Sequence, residues 1–290
     1  MTVSGFTIIR NGVKYSYPFK EAILSILPMC DEFVVNVGDS EDGTLDEIQS
    51  IKSGKLKIIN RKWDMSQREN GLLLSTETNY ALKECSGDWC FYIQSDEVLH
   101  EKYIPTVRAA MEEYVNDVRV EGLRFRYKHF YGSYDYFQDN YRKWYVREVR
   151  VIKNRRSIVS WADAMGFMHA DGRMIAAVNI KAEIYHYGYV RPPETLAQKR
   201  VDFHKLYHDD DEVKRFAESM TTYDDLGNLK KFHDTHPAVM QERVRISNWN
   251  FDAKLGDQPP DWVRAIMIFL NPVTKRLKKF LRVSPAKRKS

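Results

Sequence analysis

Apolar and polar positions follow two different periods over roughly the first 117 residues. Four short apolar runs bounded by polar or turn residues predict buried strands, at 5–11, 32–40, 55–63 and 89–97. The segments between them place apolar side chains at helical spacing, which predicts helices over 18–30, 42–54 and 68–86. Strands that alternate with helices predict βαβ units, a parallel sheet, and a ligand crevice at the carboxyl ends of its strands.

The pattern changes after a further predicted helix over 101–117. Aromatic-rich strands with turns between them follow, as in EGLRFRYKHFYGSYDYF, and predict a mixed or antiparallel extension of the sheet. Beyond Pro192 and Pro193 the chain becomes helical and strongly charged. We therefore predict an α/β fold: a mostly parallel sheet with helices on both faces, a smaller mixed extension and a helical C-terminal region. We predict one domain over residues 1–191, with halves at about 1–117 and 118–191. The helical C-terminal region then covers 192–290.

Composition indicates a globular protein. The chain has 290 residues, of which 43% are hydrophobic and 29% charged, and this is enough to bury a full core. The three cysteines form no C-x-x-C pair, which favours reduced thiols in a cytosolic compartment. The N-terminus has no positive leader, and no stretch approaches the roughly 20 apolar residues that span a bilayer. We expect neither a signal peptide nor an integral membrane protein.

Positive charge is concentrated at the C-terminus. Residues 274–290 hold eight Lys or Arg and no acid, and apolar side chains alternate with basic ones over 260–282. This mixture predicts a helix in the interface of an anionic membrane, and so a cytoplasmic protein peripheral to its inner face. A helix packed on the rest of the protein, with a disordered basic end, is the equal alternative. Nucleic acid is not expected as a partner, because the aromatic residues lie far from this basic cluster.

Polar side chains follow three of the predicted strands. Arg10 and Asn11 end the first strand, GDSEDGT at 38–44 ends the second, and QSDE at 94–97 ends the fourth. The carboxyl ends of parallel strands meet at one edge of a sheet, so these segments are expected to converge on one cleft. We predict that Arg10 and Asn11 belong to a ligand site there.

These motifs also carry a resemblance. The FTIIRN strand, the S-E-D-G-T turn, the N-Y-A-L helix followed by G-D-W, and the Q-S-D-E strand end resemble a family 2 glycosyltransferase of the GT-A type. The variety most similar adds sugars to bacterial lipopolysaccharide core or related surface glycans, and the likeness covers about residues 4–190. It implies a GT-A, Rossmann-like fold. It also implies a nucleotide-sugar donor, with UDP-sugars favoured, and a saccharide or glycolipid acceptor.

In that family the fourth strand ends in Asp-x-Asp, whose last acid holds a divalent cation on the donor diphosphate. This chain has Gln94-Ser95-Asp96, so the first acid is missing. The resemblance implies that Asp96 holds Mn²⁺ or Mg²⁺, since such a cation needs only one or two protein carboxylates. Gln94 would bind the ribose, and Glu97 would belong to the donor site by contacting the sugar or supporting Asp96. The alternative is two exposed acids that cap a helix beginning near residue 98.

Three further residues are assigned to the donor through the resemblance. Asp39 lies one position from the usual place of an acid that contacts the base, while Asp42-Gly43-Thr44 is expected to build a turn and a helix cap. His186, in HYGYVR, resembles a histidine that many GT-A enzymes provide to the cation, and Arg191 would bind phosphate. A structural histidine and a surface arginine are the alternatives.

Inverting transfer also needs a carboxylate that takes the proton of the acceptor hydroxyl. The acids between the later strands are Asp135, Asp139, Glu148, Asp163, Asp171 and Glu183. We choose Asp163 as this catalytic base, because residues 157–169 follow VREVRVIKNRR as the family's acceptor loop follows its Arg-rich strand. Trp161 is then a platform on which a sugar stacks. Two alternatives remain: Asp163 caps a turn, and Trp161 belongs to the core. If no acid lies within reach of the acceptor, a retaining reaction also remains possible.

Two other classes of protein remain. Because the first acid of the metal motif is replaced, one alternative is a catalytically inactive relative that binds glycan or nucleotide. A sugar nucleotidyltransferase also uses an open sheet and a metal, but it usually carries an N-terminal, glycine-rich, basic phosphate loop. GFTIIRNG is not such a loop.

Overall fold

The computed structural model describes residues 1–67, 71–138, 144–208, 210–219, 229–251 and 253. Its strands are β1 Val3–Ile9, β2 Glu32–Gly38, β3 Leu56–Arg61, β4 Trp89–Tyr92, β5 Glu97–Leu99, β6 Gly122–Tyr131, β7 Ser133–Gln138, β8 Arg147–Lys153, β9 Ile158–Trp161, β10 Gly166–His169, β11 Ala177–Tyr189 and β12 Leu229–Lys231. Its α-helices are α1 Phe19–Ile26, α2 Thr44–Gln49, α3 Leu72–Lys83, α4 Ile104–Tyr114, α5 Pro193–His204, α6 Asp210–Ser219 and α7 Gln241–Arg245.

The first half of the sheet is parallel, in the order β4-β1-β2-β3. Alternate side chains of β2 enter two different cores: Val34 packs with α3, whereas Phe33 and Val35 pack with α1 and α4. A strand that is buried on both faces needs helices on both, which explains its continuous apolar run. The predicted α/β class and βαβ order are confirmed.

The later strands continue the same sheet. Strand β8 pairs with β4 in antiparallel fashion, and β6, β7 and β12 follow in order, while β11 pairs with both β6 and β5. The predicted mixed extension is therefore joined edge to edge with the parallel half. Strands β9 and β10 form a separate two-stranded sheet.

The fourth predicted strand differs from the expected one. Strand β4 stops at Tyr92, and the chain then turns, with the Glu97 amide donating to the Gln94 carbonyl at 3.0 Å. Glu97 begins β5, which is paired with β11, so the alternative of two exposed acids that cap a helix near residue 98 is wrong. The turn places Asp96 at the end of the sheet, and the register sets His186 of β11 opposite Glu97.

Beyond residue 192, the described residues contain α5, α6 and α7, with β12 as an additional short strand. In the part of the chain that the structure describes, no helix has the length and apolar character needed to cross a bilayer. The apolar and basic segments at 260–282 and 274–290 lie outside the described residues. The membrane-interface prediction therefore stays a prediction.

Candidate active site

A cavity of about 1050 Å³ opens at the carboxyl ends of β1, β2 and β4. The predicted convergence of strand ends is confirmed, because Arg10, Asn11, Gln94 and Asp96 all line this cavity. So do His186 and Asp163, which come from β11 and the β9–β10 connection. The described lining does not include Asp39, Glu97, Trp161 or Arg191.

Asp96 and His186 face one another in the cavity. The His186 Nε2 atom lies 3.7 Å from Asp96 Oδ1, and the Tyr187 amide donates to the Asp96 carbonyl at 2.8 Å, which ties the turn to β11. Gly188 allows this approach, since a Cβ atom there would lie 2.6 Å from His186 Nε2 and 2.9 Å from Asp96 Oδ2. The missing side chain leaves a gap beside both polar atoms.

The charges of this pair follow from burial and neighbours. Burial tends to raise the pKa of Asp96, but the interactions with His186, Lys199 and Arg191 outweigh it and lower the pKa. Burial lowers the pKa of His186 to about 4, against the opposing effect of the Asp96 charge. At neutral pH the site therefore contains a carboxylate and a neutral imidazole.

This donor set fits a divalent cation that is shared with a substrate. One carboxylate oxygen and one imidazole nitrogen are suitable ligands for Mn²⁺, and a cation that keeps waters and phosphate oxygens needs no more from the protein. Within the described ranges, no group of three His, Cys, Asp or Glu side chains could enclose a metal by itself. Asp96 and His186 would thus hold a cation only together with other oxygens.

Lys199 is a component of the site that sequence analysis missed. From α5, its Nζ atom donates to the Gly188 carbonyl at 3.0 Å and to Asp96 Oδ2 at 3.4 Å, among the rings of Tyr17, Tyr189 and Phe203. Burial and the charge of Arg191 lower the pKa of Lys199 to about 7. Nothing distinguishes this lysine within the charged sequence ETLAQKRVDF. Only the packing of α5 over the cavity identifies it.

Glu97 lies behind the cavity, not in it. Its carboxylate is fully buried and accepts three hydrogen bonds. The donors are Arg150 Nε at 2.9 Å, Arg150 Nη2 at 2.8 Å and the Tyr127 hydroxyl at 2.7 Å. It also accepts a hydrogen bond from the backbone amide of Gln94 at 3.1 Å, within the turn that carries Asp96. Direct contact between Glu97 and a sugar would require the carboxylate to leave Arg150, which corrects that interpretation. The geometry agrees with the alternative, support of Asp96.

Arg150→Met should lower the free energy of unfolding by about 3–5 kcal/mol, because it leaves the Glu97 charge buried without its partner. Urea denaturation of the purified protein measures this loss. The double variant Arg150→Met/Glu97→Gln removes the uncompensated charge and should recover a large part of it. A loss of less than about 1 kcal/mol in the single variant would contradict a structural role for the pair.

Arg191 also lies away from the phosphate site to which the sequence resemblance assigned it. Its side chain is fully buried, with Nη1 donating to the Tyr15 carbonyl at 2.7 Å and the guanidinium lying over the Tyr17 ring. Phosphate in the cavity would not meet it without rearrangement. In this geometry Arg191 acts through its charge, which helps to lower the pKa of Asp96.

Asp39 does not line the cavity but holds a residue that does. Its Oδ1 atom accepts from Arg10 Nε at 3.2 Å and from the Trp63 amide at 3.3 Å. Asn11 adopts a positive φ of 53° at the cavity edge, and its amide donates to Ser40 Oγ at 2.9 Å. The expected turn after β2 is present, with the Thr44 amide donating to Asp42 across Gly43, but the expected helix cap is wrong, because Gly43 is the N-cap of α2 and provides no side-chain hydrogen bond to the helix.

Asp163 is held at the cavity by a constrained connection. Ala162 and Ala164 on either side of it have φ angles of 51° and 60°, which are unfavourable for alanine. Ala164 accepts a hydrogen bond from the Gln94 amide side chain at 3.1 Å, and Asp163 Oδ2 accepts the Tyr207 hydroxyl at 3.0 Å. The connection between β9 and β10 is therefore tied to the strand end that carries Asp96.

Glu148 is a second acid in the lining. Burial raises the pKa of Glu148 despite the opposing charge of Arg150. In the described part of the chain its carboxylate has no hydrogen bond or ion pair. An acid with these properties in a cavity is a candidate for proton transfer. The sequence does not distinguish Glu148 from the other acids between the later strands, one of which, Asp139, lies outside the described residues.

The aromatic wall of the cavity is not where it was expected. Trp161 is half-buried in β9 and does not belong to the described lining. Tyr131, Trp144, Tyr145 and Tyr189 line the cavity instead. Trp144, Tyr145 and Tyr189, not Trp161, offer surfaces on which a sugar could stack, whereas Tyr131 is almost fully buried.

Comparison with known proteins gives structural likenesses only. No protein-family profile and no curated protein matches the chain. TarS from S. aureus is 16% identical, with a TM-score of 0.41, over 74% of this chain and 69% of that structure. TarS in complex with UDP-GlcNAc is 21% identical, with a TM-score of 0.36, over 46% of this chain and 36% of that one.

A third likeness is glucosyl-3-phosphoglycerate synthase from Mycobacterium tuberculosis in complex with Mn²⁺, UDP-glucose and phosphoglyceric acid. It is 21% identical, with a TM-score of 0.29, over 45% of this chain and 44% of that one. This chain spans less than half the length of the second and third structures. At these values the likeness carries no information about the activity of this chain.

Proposed function

We propose that this protein is a GT-A-type glycosyltransferase that moves a sugar from a nucleoside diphosphate to a saccharide or glycolipid acceptor. One observation carries the proposal. The carboxylate of Asp96 and the neutral Nε2 of His186 lie 3.7 Å apart in a cavity at the carboxyl ends of parallel strands. Nucleotide ligands of open α/β sheets bind at such edges.

The leaving diphosphate requires positive charge close to it. Asp96 and His186 would hold Mn²⁺ or Mg²⁺, which supplies charge neutralisation to the diphosphate when bound. Lys199, on the same side of the cavity, adds an amino group that can bind a phosphate oxygen in its protonated form. Arg10, Asn11 and Gln94 line the donor end and would bind the nucleoside, with Asp39 orienting Arg10. A UDP-sugar is the donor that the motif resemblance favours.

The acceptor would lie between the aromatic rings and the two acids Asp163 and Glu148. Inversion requires one acid to remove the proton of the acceptor hydroxyl as the glycosidic bond forms. Asp163 is the base proposed from the sequence, and its constrained connection supports that role. Glu148 is the alternative that its raised pKa favours.

The biological setting is proposed on sequence grounds. The motif resemblance favours synthesis of a bacterial surface glycan of the lipopolysaccharide type, with residues 1–191 as the catalytic domain. The basic residues at 274–290 favour a cytoplasmic enzyme that binds the inner face of the membrane and there meets a lipid-linked acceptor.

Calorimetric titration of UDP tests the donor assignment. We expect UDP to bind in the presence of Mn²⁺ and to bind much more weakly after EDTA is added, because Asp96 and His186 would hold a cation that neutralises the diphosphate. GDP, TDP and CMP in parallel titrations test the choice of base. Absence of heat with all four nucleotides would contradict the proposed function.

A catalytically inactive relative that binds nucleotide would pass the same titration. Slow hydrolysis of a UDP-sugar to UDP and free sugar distinguishes the two, since it requires an intact transfer site but no acceptor. UDP release above the rate in buffer is expected from at least one UDP-sugar. Binding without any release would favour the inactive alternative.

A further inference from the structure

A buried chain of polar contacts leads into the cavity from behind His186. The Tyr145 carbonyl lies 2.8 Å from His129 Nε2, and His129 Nδ1 lies 3.0 Å from His186 Nδ1. The other nitrogen of His186, Nε2, faces Asp96. His129 and His186 are 2% and 7% exposed, so water has little access to either ring.

The partners of these nitrogens restrict the positions of the protons. A carbonyl oxygen only accepts, so His129 Nε2 carries a proton and donates to Tyr145. In a neutral imidazole the other nitrogen is then an acceptor, so His129 Nδ1 accepts from His186 Nδ1–H. A neutral His186 with its proton on Nδ1 presents the lone pair of Nε2 to the cavity.

Burial supports neutral rings. Both rings are almost fully enclosed, and enclosure away from water disfavours the charged form of an imidazole. Each ring then has one proton at neutral pH. A lone pair and a carboxylate oxygen face each other at 3.7 Å with no proton between them, an arrangement that attracts a cation.

We propose that His129 is a positioning residue that fixes the tautomer of His186 and thereby makes Nε2 a cation ligand beside Asp96. A neutral imidazole has two tautomers, and the hydrogen bond at one nitrogen decides which lone pair the other offers. Without an acceptor at Nδ1, His186 would place its proton on Nε2 and donate to Asp96, which closes the site. The inference rests on the proposed function, since the cation belongs to donor binding.

Two variants of His129 isolate this effect. His129→Phe keeps a planar ring of similar size but offers no acceptor, whereas His129→Asn retains an acceptor oxygen at the δ position. Selective ¹⁵N-histidine labelling and long-range ¹H–¹⁵N spectra report the tautomer of His186 in metal-free protein. The His186→Gln variant identifies its signals. Electron paramagnetic resonance then measures the affinity for Mn²⁺ alone.

We expect His186 to carry its proton on Nδ1 in the wild-type protein and in His129→Asn, and on Nε2 in His129→Phe. The affinity for Mn²⁺ should fall about 10–100-fold in His129→Phe and by much less in His129→Asn. A proton on Nε2 of His186 in the wild-type protein would overturn the proposal. So would unchanged Mn²⁺ affinity in a folded His129→Phe protein. The wild-type spectrum decides the tautomer even if His129→Phe does not fold.

Failure of this inference is distinguishable from failure of the proposed function. The tautomer is measured without metal or nucleotide, so it tests His129 alone. If wild-type protein binds no Mn²⁺, the cation site is overturned whatever the tautomer. UDP binding that persists in EDTA would then still support a nucleotide site.

Discussion

Replacing Asp96 with Asn should lower kcat/KM for glycosyl transfer by about 10²–10³-fold, the loss expected when one group that stabilises the developing charge is removed. The amide has nearly the shape of the carboxylate but no charge with which to hold a cation or to balance Lys199 at 3.4 Å. Metal-dependent UDP binding should weaken in parallel. Steady-state kinetics and calorimetry at fixed Mn²⁺ concentration measure the two effects.

Asp171→Asn is the matched control for this variant. It makes the same chemical change at an exposed acid paired with Arg173, outside the cavity lining. It should leave both activity and UDP binding unaltered. If Asp96→Asn behaved like this control, Asp96 would not be the diphosphate site, and the proposed function would lose its central residue.

Replacing the catalytic base should have the other large effect. Whichever of Asp163→Asn and Glu148→Gln removes that base should lower kcat by about 10²–10⁴-fold. UDP binding should be nearly unchanged, because neither acid contacts Asp96 or His186. The acid with the smaller effect serves as the control for the other. Losses below about 10-fold in both variants would exclude both acids as the base of an inverting reaction, and a retaining reaction would then be favoured.

The pH profile separates the two acids further. A base works only when deprotonated, so activity rises with pH through its pKa. The pKa of Glu148 is raised by burial, and Arg150, Glu97, Arg124 and Asp163 are the charged groups that act on it. If Glu148 is the base, the acidic limb of kcat/KM lies above the ordinary range of a glutamate. That limb should disappear in Glu148→Gln.

Local pattern was sufficient to predict the parallel half of the sheet. The apolar run of β2 and the helical spacing before and after it express contacts made within a few residues of chain. The carboxyl ends of parallel strands share an edge, and this rule is enough to place Arg10, Asn11 and Asp96 in one cleft. These predictions needed no knowledge of long-range packing.

Distinguishing the roles of adjacent acids required the tertiary structure. Asp96 and Glu97 are neighbours in the sequence and look alike, but one lines the cavity and the other is buried against Arg150, 53 positions away. Trp161 and Trp144 likewise could not be ranked from sequence, because the path of the chain between strands decides which ring faces the cavity.

The sequence by itself determined the α/β alternation and the cleft to which the segment with Asp96 leads, because periodicity and strand direction are local properties. Tertiary structure decided the rest of the proposed cation site. His129 meets His186 across 57 positions and Lys199 meets Asp96 across 103. Such contacts depend on the register of β6 with β11 and on the packing of α5, and many registers are compatible with the same apolar pattern. Only the folded chain selects one.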